Sequence, residues 1–290
     1  MPPAETEITV ELVRSLLADQ RPDLADREVV LAASGWDNLS FRLGTDLAAR
    51  FPRRSLAAGL IVNEAHWLPI LADRLPLPVP TPFFLGRPGR GYPWRWSIVP
   101  WLAGRPAAGV DTLDLAACAS ALGGFLRALH VAVPPHAPEN PYRGGPLRQR
   151  RDATVERIDR LAALIDPDAA KRRWGQACAA PEHEGPPLWI HGDLHPNNLL
   201  VSEGRITAVI DFGDLTGGDP ATDLAVAWML FPSELRPLFV DAYGGADEAT
   251  WERGAGWALS LATAYLAFSA DNPVMGEVGK VTLERVLGEG

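Results

Sequence analysis

The segment from Trp189 to Gly213 reads W-I-H-G-D-L-H-P-N-N-L-L-V-S-E-G-R-I-T-A-V-I-D-F-G, and it limits the possible folds more than any other part of the chain. Two short apolar β-type runs, Leu199 to Val201 and Ile206 to Ile210, flank a Ser-Glu-Gly-Arg turn. Such a pattern predicts a hairpin with its polar residues at the two open ends. The first end supplies His191, Asp193 and Asn198, and the second supplies Asp211 directly before Phe212 and Gly213. An Asx-rich turn bonding its own backbone would account for Asp193 or Asn198 taken singly, and a strand-ending carboxylate for Asp211. Together, at this spacing around one hairpin, they point instead to a functional site.

Asp193 and Asn198 are five residues apart, the spacing of a kinase catalytic loop, and D-F-G follows where a kinase keeps its metal-binding Asp. The stretch resembles the catalytic core of the aminoglycoside phosphotransferase family, the small-molecule branch of the protein-kinase-like fold, whose loop reads H-G-D rather than H-R-D. That resemblance implies an α+β, two-lobe architecture. An N-lobe over residues 1–100 would hold an antiparallel sheet with one main helix, and a hinge and mostly helical C-lobe would occupy residues 101–290. It also implies roles: Asp193 accepts or orients the acceptor hydroxyl, Asn198 binds Mg2+ through its amide oxygen, and Asp211 bridges Mg2+ to the phosphates of ATP or GTP. His191 is expected to be structural.

The N-terminal part fits that expectation. Thr9 to Ala18 has helical apolar spacing, and Glu28 to Ala33, Leu39 to Leu43 and Leu47 to Phe51 read as strands. The turn Ser34 to Asn38 stands where the family's nucleotide-covering loop would lie, with Gly35 as its one glycine; an ordinary hairpin turn explains it equally well. Arg50 ends the third strand where a kinase keeps a phosphate-pairing lysine, and the only lysines, Lys171 and Lys280, are far off in sequence. Glu64, fourteen residues on in a helix-like run, is the natural partner for Arg50. The surrounding R-F-P-R-R is similar to a motif of macrolide phosphotransferases. Leu75 to Pro82 must be extended because its prolines exclude helix. A strand over Trp94 to Pro100 then leads to the implied interlobe hinge, where the Pro100 carbonyl and the Leu102 N–H are candidates for the adenine edge and Val99 for the surface behind the ring.

Composition removes other classes. A net charge of −9 argues against general nucleic-acid binding, which draws on Lys and Arg to neutralise phosphates. Cys118 and Cys178 lie among alanines, so neither a disulfide framework nor a metal cluster is implied, and a reducing, ATP-supplying cytoplasm is the expected setting. Met1 to Val10 has no apolar core and is not expected to be a signal peptide. The longest uncharged run, the 17 residues from Gly254 to Ala270, falls short of a membrane span and reads as a buried helix. Gly192-Asp193-Leu194-His195 also resembles the Asp-x-His pair of metallophosphoesterases, but no histidine follows His195 to complete such a site.

Helices are expected over Asp111 to His130, Gln149 to Ile165, Asp168 to Ala180, Ser233 to Tyr243 and Ala249 to Ala270, with a helix start at Gly218-Asp219-Pro220. By the resemblance Asp223 braces the catalytic loop, and aromatics and acids of the last helices, among them Tyr265, Asp271 and Glu277, shape the acceptor pocket. The expected activity is Mg2+-dependent transfer of a γ-phosphoryl group from a nucleoside triphosphate to a hydroxyl of a small molecule, an aminoglycoside first. A macrolide, an endogenous sugar or an amino alcohol is the alternative acceptor. A catalytically silent nucleotide-binding protein is the alternative of another class. Nothing in the sequence sets an oligomeric state.

Overall fold

The computed structural model describes residues 3–288, so the outer two residues of the N-terminal stretch and of the C-lobe range lie outside the described residues. The chain forms two compact units. The first comprises residues 3–74, 78–103 and 211–213, and the second residues 75–77, 104–210 and 214–288. The sequence placed a single cut at 100/101; the first unit also takes in the D-F-G segment.

The first unit contains helix α1 (Val10–Gln20), strands β1 (Val29–Ser34), β2 (Asn38–Leu43) and β3 (Leu47–Pro52), helix α2 (Ser55–Ala72), and strands β4 (Phe84–Gly86) and β5 (Trp96–Pro100). The strands pair antiparallel in the order β1-β2-β3-β5-β4. Because side chains alternate along a strand, one face carries Phe41, Leu43, Ala49, Phe51, Trp96 and Ile98, which join Val13, Leu16 and Leu17 of α1 in one core. Phe51 stacks on Trp96 with centroids 5.0 Å apart and meets Tyr92 edge-on at 5.3 Å, while the buried Tyr92 hydroxyl donates to the Pro52 carbonyl at 2.9 Å. Aromatic pairs of this kind add about 1 kcal/mol each beyond their buried area.

The opposite face carries Ala48 and Arg50 of β3 with Ser97 and Val99 of β5, the pairs Ala48–Val99 and Arg50–Ser97 lying directly across the ladder. Helix α2 is apolar and 18 residues long, enough to cross a membrane by length and composition. Its buried residues include Glu64, however, with Ile61, Leu68 and Leu71, and it packs against β3, β4 and β5. Its first turn is held by Glu5, whose carboxylate accepts from the Ser55 N–H at 3.0 Å.

The second unit contains β6 (Arg105–Pro106), α3 (Leu115–Leu129), α4 (Arg151–Arg160), α5 (Pro167–Ala179), β7 (Leu188–Ile190), β8 (Leu199–Ser202), β9 (Arg205–Val209), β10 (Thr216–Gly218), α6 (Ala221–Leu224), α7 (Val226–Leu230), α8 (Arg236–Tyr243), α9 (Glu248–Phe268) and α10 (Pro273–Leu287). The hairpin read from sequence is β8–β9, extended by β6 on the β8 side, and β7 pairs with β10. Helix α9 is the buried helix expected over Gly254 to Ala270, and α4, α5, α6, α7 and α10 pack on it.

Several boundaries differ from the sequence expectation. The helix expected from Asp111 begins at Leu115, because the Asp114 side chain accepts the Ala117 N–H and so caps the helix there. The one expected over Gln149 to Ile165 contracts to Arg151–Arg160, with a 3-10 turn before it and successive turns after it. That expected from Ser233 starts at Arg236. Helix α10 was not expected, because Gly276 and Gly279 interrupt its periodicity. A Cβ at Gly279 would lie 2.9 Å from the Ala262 carbonyl oxygen, so this glycine permits the close approach of α9 and α10.

The neighbouring glycines of α3 give a test of helix packing. A Cβ at Gly123 would fall 2.7 Å from the Phe239 carbonyl oxygen and 2.9 Å from the Tyr243 nitrogen of α8, whereas one at Gly124 meets nothing within 4 Å. Gly124→Ala is therefore expected to stabilise the chain by about 0.5–1 kcal/mol. Gly123→Ala is expected to destabilise it by about 1–3 kcal/mol, since backbone cannot swing aside. Urea unfolding of the two variants checks the opposite signs.

Candidate active site

The catalytic-loop residues gather in the second unit around a buried carboxylate. Asp223, on α6 and fully buried, accepts the His191 N–H at 2.7 Å through Oδ2 and the Gly192 N–H at 2.9 Å through Oδ1. His130, the C-cap of α3, stands with Nε2 3.1 Å from Asp223 Oδ2 and Nδ1 2.9 Å from the Tyr243 hydroxyl. A carboxylate only accepts, so His130 donates from Nε2 and the tyrosine hydroxyl donates to Nδ1. The bracing role implied for Asp223 thus has a geometric basis, with His130 held between it and Tyr243.

Between His191 and Asp193 the backbone turns sharply. Gly192 has φ +84°, and a Cβ there would sit 2.5 Å from the Asp214 carbonyl oxygen. The middle residue of H-G-D is therefore glycine for both conformation and space. His191 is buried, with Nε2 2.9 Å from the Ile210 carbonyl oxygen and Nδ1 3.3 Å from the Asp193 N–H. The carbonyl requires Nε2 to carry the proton, which leaves Nδ1 to accept from Asp193; His191 couples the loop to the end of β9.

Asn198 lies five residues after Asp193 in a one-turn 3-10 helix, Pro196–Asn198, and its amide nitrogen donates to the Asp193 carbonyl at 2.9 Å. With the nitrogen engaged, the amide oxygen is the atom able to take a cation. The Asp193 side chain keeps about 29% of its exposure and pairs with Arg143 at 2.8 Å, while His195 Nε2 lies 3.4 Å from its other oxygen. Burial works to raise the Asp193 carboxyl, but Arg143, then His195 and His191, outweigh it and hold the group well below the usual carboxylate range.

The first unit holds a separate ionic cluster. Arg50 is buried on the α2 face of β3, and its Nη1 bonds both oxygens of the buried Glu64 at 2.5 and 2.6 Å. Its Nη2 donates to Asp211 Oδ1 at 3.0 Å. Burial would lower the Arg50 guanidinium, but Glu64 and Asp211 outweigh it and hold it above its ordinary value. Asp211 has φ +65°, uncommon for a residue with a Cβ, and about half of its side chain is exposed. Backbone held in this way is typical of a position kept for function rather than for packing.

In the first unit Asp211 offers a carboxylate oxygen and in the second Asn198 offers an amide oxygen, each a hard donor of the kind Mg2+ takes. Among the described residues no group of three or more His, Cys, Asp or Glu forms a self-sufficient metal centre.

The nucleotide candidates are distributed around the same sheet. Val99 shares the Arg50 face, and Pro100 pairs with Leu47. The segment leading to Leu102 is anchored by the Trp101 N–H donating to the Asp46 carbonyl at 2.8 Å and by Arg42 over the Trp101 ring at 5.0 Å. Gly35 closes the β1–β2 turn through its N–H to the Asn38 carbonyl at 2.9 Å, and its φ is not in the left-handed region. Arg53 donates to the Gly35 carbonyl at 2.7 Å, and Arg54 pairs with Asp37. The R-F-P-R-R motif therefore pins this turn from β3, a local role that does not discriminate between acceptors.

Sequence reasoning missed Arg143 and Asn140, which lie about fifty residues before Asp193, and Asp214, which follows D-F-G directly. The R-G-G of residues 143–145 was the available signal. Of the residues expected at the acceptor pocket, Tyr265 packs edge-on to His195 at 5.8 Å, whereas Asp271 and Glu277 are solvent-exposed.

Removing the Asp223 carboxylate would leave two buried N–H groups without acceptors and His130 without its partner. Asp223→Ala is expected to cost about 3 kcal/mol or more of stability, read from urea unfolding.

Comparison with known proteins agrees with this geometry. The profile of a phosphotransferase enzyme family matches residues 28–257. An aminoglycoside 3'-phosphotransferase of Escherichia coli is 29% identical over 162 residues, covering 52% of this chain and 59% of that protein, so the chain spans about three-fifths of that relative's length. Among solved structures, the GDP and kanamycin complex of APH(2")-IIia superposes with a TM-score of 0.73 at 20% identity, covering 96% of this chain and 99% of the other. The apoenzyme of the macrolide 2'-phosphotransferase MphH from Brachybacterium faecium gives 0.60 at 22% identity, covering 94% and 97%. At such identities these structures establish the fold, a kinase-like α+β architecture with a sheet-based first unit and a helical second unit. With its braced H-G-D turn, its D-F-G carboxylate bound to a buried arginine, and a profile match over most of its length, the chain belongs to the phosphotransferase enzyme family.

Proposed function

We propose that the protein transfers the γ-phosphoryl group of ATP or GTP to a hydroxyl of a small molecule, with an aminoglycoside as the leading acceptor class. The observation that carries this reading is the buried Arg50, which bridges Glu64 and the D-F-G carboxylate Asp211. An arginine held in this way offers phosphate oxygens a fixed positive charge, the task a lysine performs in protein kinases. Glu64 orients it, and Asp211 offers a ligand for the cation that accompanies the phosphates. The turn at Gly35, Val99, the Pro100 carbonyl and the Leu102 N–H are assigned to the nucleotide.

Asp193 orients the acceptor hydroxyl toward the γ-phosphorus and receives its proton as the bond to phosphorus forms and the bond to the nucleotide's leaving oxygen breaks. A carboxylate held so low in pKa is a weak base, which suits a loose transition state in which alignment matters more than early deprotonation. Asn198 is assigned as the second protein ligand of Mg2+. The cation, when bound, would neutralise charge developing on the phosphate oxygens. The aminoglycoside assignment draws on the E. coli relative and on the structural neighbour solved with kanamycin. The two free cysteines fit a cytoplasmic setting that supplies nucleoside triphosphates.

The test is coupled ADP or GDP release with Mg2+ against aminoglycosides, macrolides and simple amino alcohols. Turnover with a member of the panel is expected. Asp193→Asn should lower kcat by about 100-fold or more with nucleotide affinity kept, and Asp211→Ala should abolish Mg2+-dependent nucleotide binding in calorimetry. Nucleotide binding without transfer to any acceptor would favour the silent binder instead, and full turnover by Asp193→Asn would overturn the role given to that residue.

A further inference from the structure

The Asp223 brace fixes the backbone beside Asp193 but not the side-chain torsions of Asp193 itself, and the structure shows what does. Arg143 Nη2 donates to Asp193 Oδ1 at 2.8 Å, and Arg143 Nε donates to Asp214 Oδ2 at 3.3 Å. The other oxygen of Asp214 accepts from Asn140 Nδ2 at 2.8 Å, and Asn140 Oδ1 accepts the Tyr142 N–H at 2.9 Å. A relay of four polar side chains thus runs from the loop before α4 to the candidate catalytic carboxylate.

The loop that carries Arg143 is fastened to β10 and the residue following it. The Pro138 carbonyl accepts from the Thr216 hydroxyl at 2.7 Å, and the Gly144 carbonyl accepts the Asp219 N–H at 2.8 Å. Gly144 has φ +69°, and a Cβ there would lie 2.8 Å from Ile190 Cδ1 and 2.9 Å from Gly218 Cα. The guanidinium is therefore delivered from packed backbone rather than from a free tether. One arginine bonds both carboxylates at once, so the Asp193 rotamer is coupled to Asp214.

We propose that Arg143 is a positioning residue for Asp193: through the Asn140–Asp214 relay it fixes the carboxylate's rotamer and leaves Oδ2 as the oxygen that meets the acceptor hydroxyl. The inference rests on the role given to Asp193 in phosphoryl transfer. The Arg143 guanidinium is held above its ordinary pKa: burial acts against it, and Asp193 and Asp214 prevail.

The experiment compares wild type, Arg143→Gln, Arg143→Lys and Asp214→Asn by steady-state kinetics, with the carbon-13 carboxyl shift of Asp193 at one neutral pH as a readout independent of turnover. Arg143→Gln is expected to lower kcat roughly 10- to 100-fold while nucleotide affinity stays within about twofold. The Asp193 carboxyl shift should change with it, because the hydrogen bond to Oδ1 is lost. Arg143→Lys should recover part of kcat, since it keeps the charge but not the fork. Asp214→Asn, which removes an anchor of Arg143 and preserves its shape, should lower kcat in the same direction by a smaller factor, and it decides the matter should Arg143→Gln fail to fold. An unchanged carboxyl shift and kcat in folded Arg143→Gln, or an unchanged kcat in Asp214→Asn in that event, overturns the proposal. A chain with no phosphoryl transfer at all counts against the proposed reaction, while the Asp193 carboxyl shift still decides its pairing with Arg143.

Discussion

One fully buried carboxylate holds the H-G-D turn of the second unit in place. Asp223 accepts from two consecutive backbone N–H groups of the H-G-D turn and from His130, and His130 in turn bonds Tyr243. Through those contacts the start of α6, the end of α3 and the end of α8 converge on the residue before Asp193. A buried anion is costly unless every lone pair finds a donor. Here charged-acceptor hydrogen bonds offset that cost, and they align a glycine turn that no other residue type would tolerate.

Charge is treated differently in the two units. In the first, Arg50 sits nearly dry between a buried and an exposed carboxylate, so its position is set by Glu64 and its reach ends at Asp211. In the second, Asp193 is partly exposed and its counter-ion comes from a distant loop. The chain thus keeps a buried, doubly paired cation in one unit and a partly exposed, paired anion in the other. Each is fixed by partner side chains rather than left to solvent, which is how charged groups are held preorganised in a protein.

Much of this was legible in sequence because it is local. The β8–β9 hairpin, the three strands around Arg50 and Asp193's spacing to Asn198 follow from alternation, turn residues and short separations, which short-range physics governs. The pairing of Arg50 with Glu64 was also readable, since a strand followed by a helix packing back on it brings residues fourteen apart face to face. What failed was local too: the start of α3 moved to the residue after Asp114, whose side chain caps it, and α10 was hidden by a glycine needed for packing against α9.

By itself, then, the sequence determined the three strands around Arg50, the β8–β9 hairpin with its H-G-D and D-F-G motifs, and the ionic partner of Arg50. Only the tertiary structure decided that R-F-P-R-R pins the β1–β2 turn and that Asp193 is matched with Arg143 and Asp214. The reason is physical. A side chain's partner across a long separation depends on which loops pack together, and that is settled by close-packed backbone such as Gly144 against Gly218, which leaves no periodic mark in the chain.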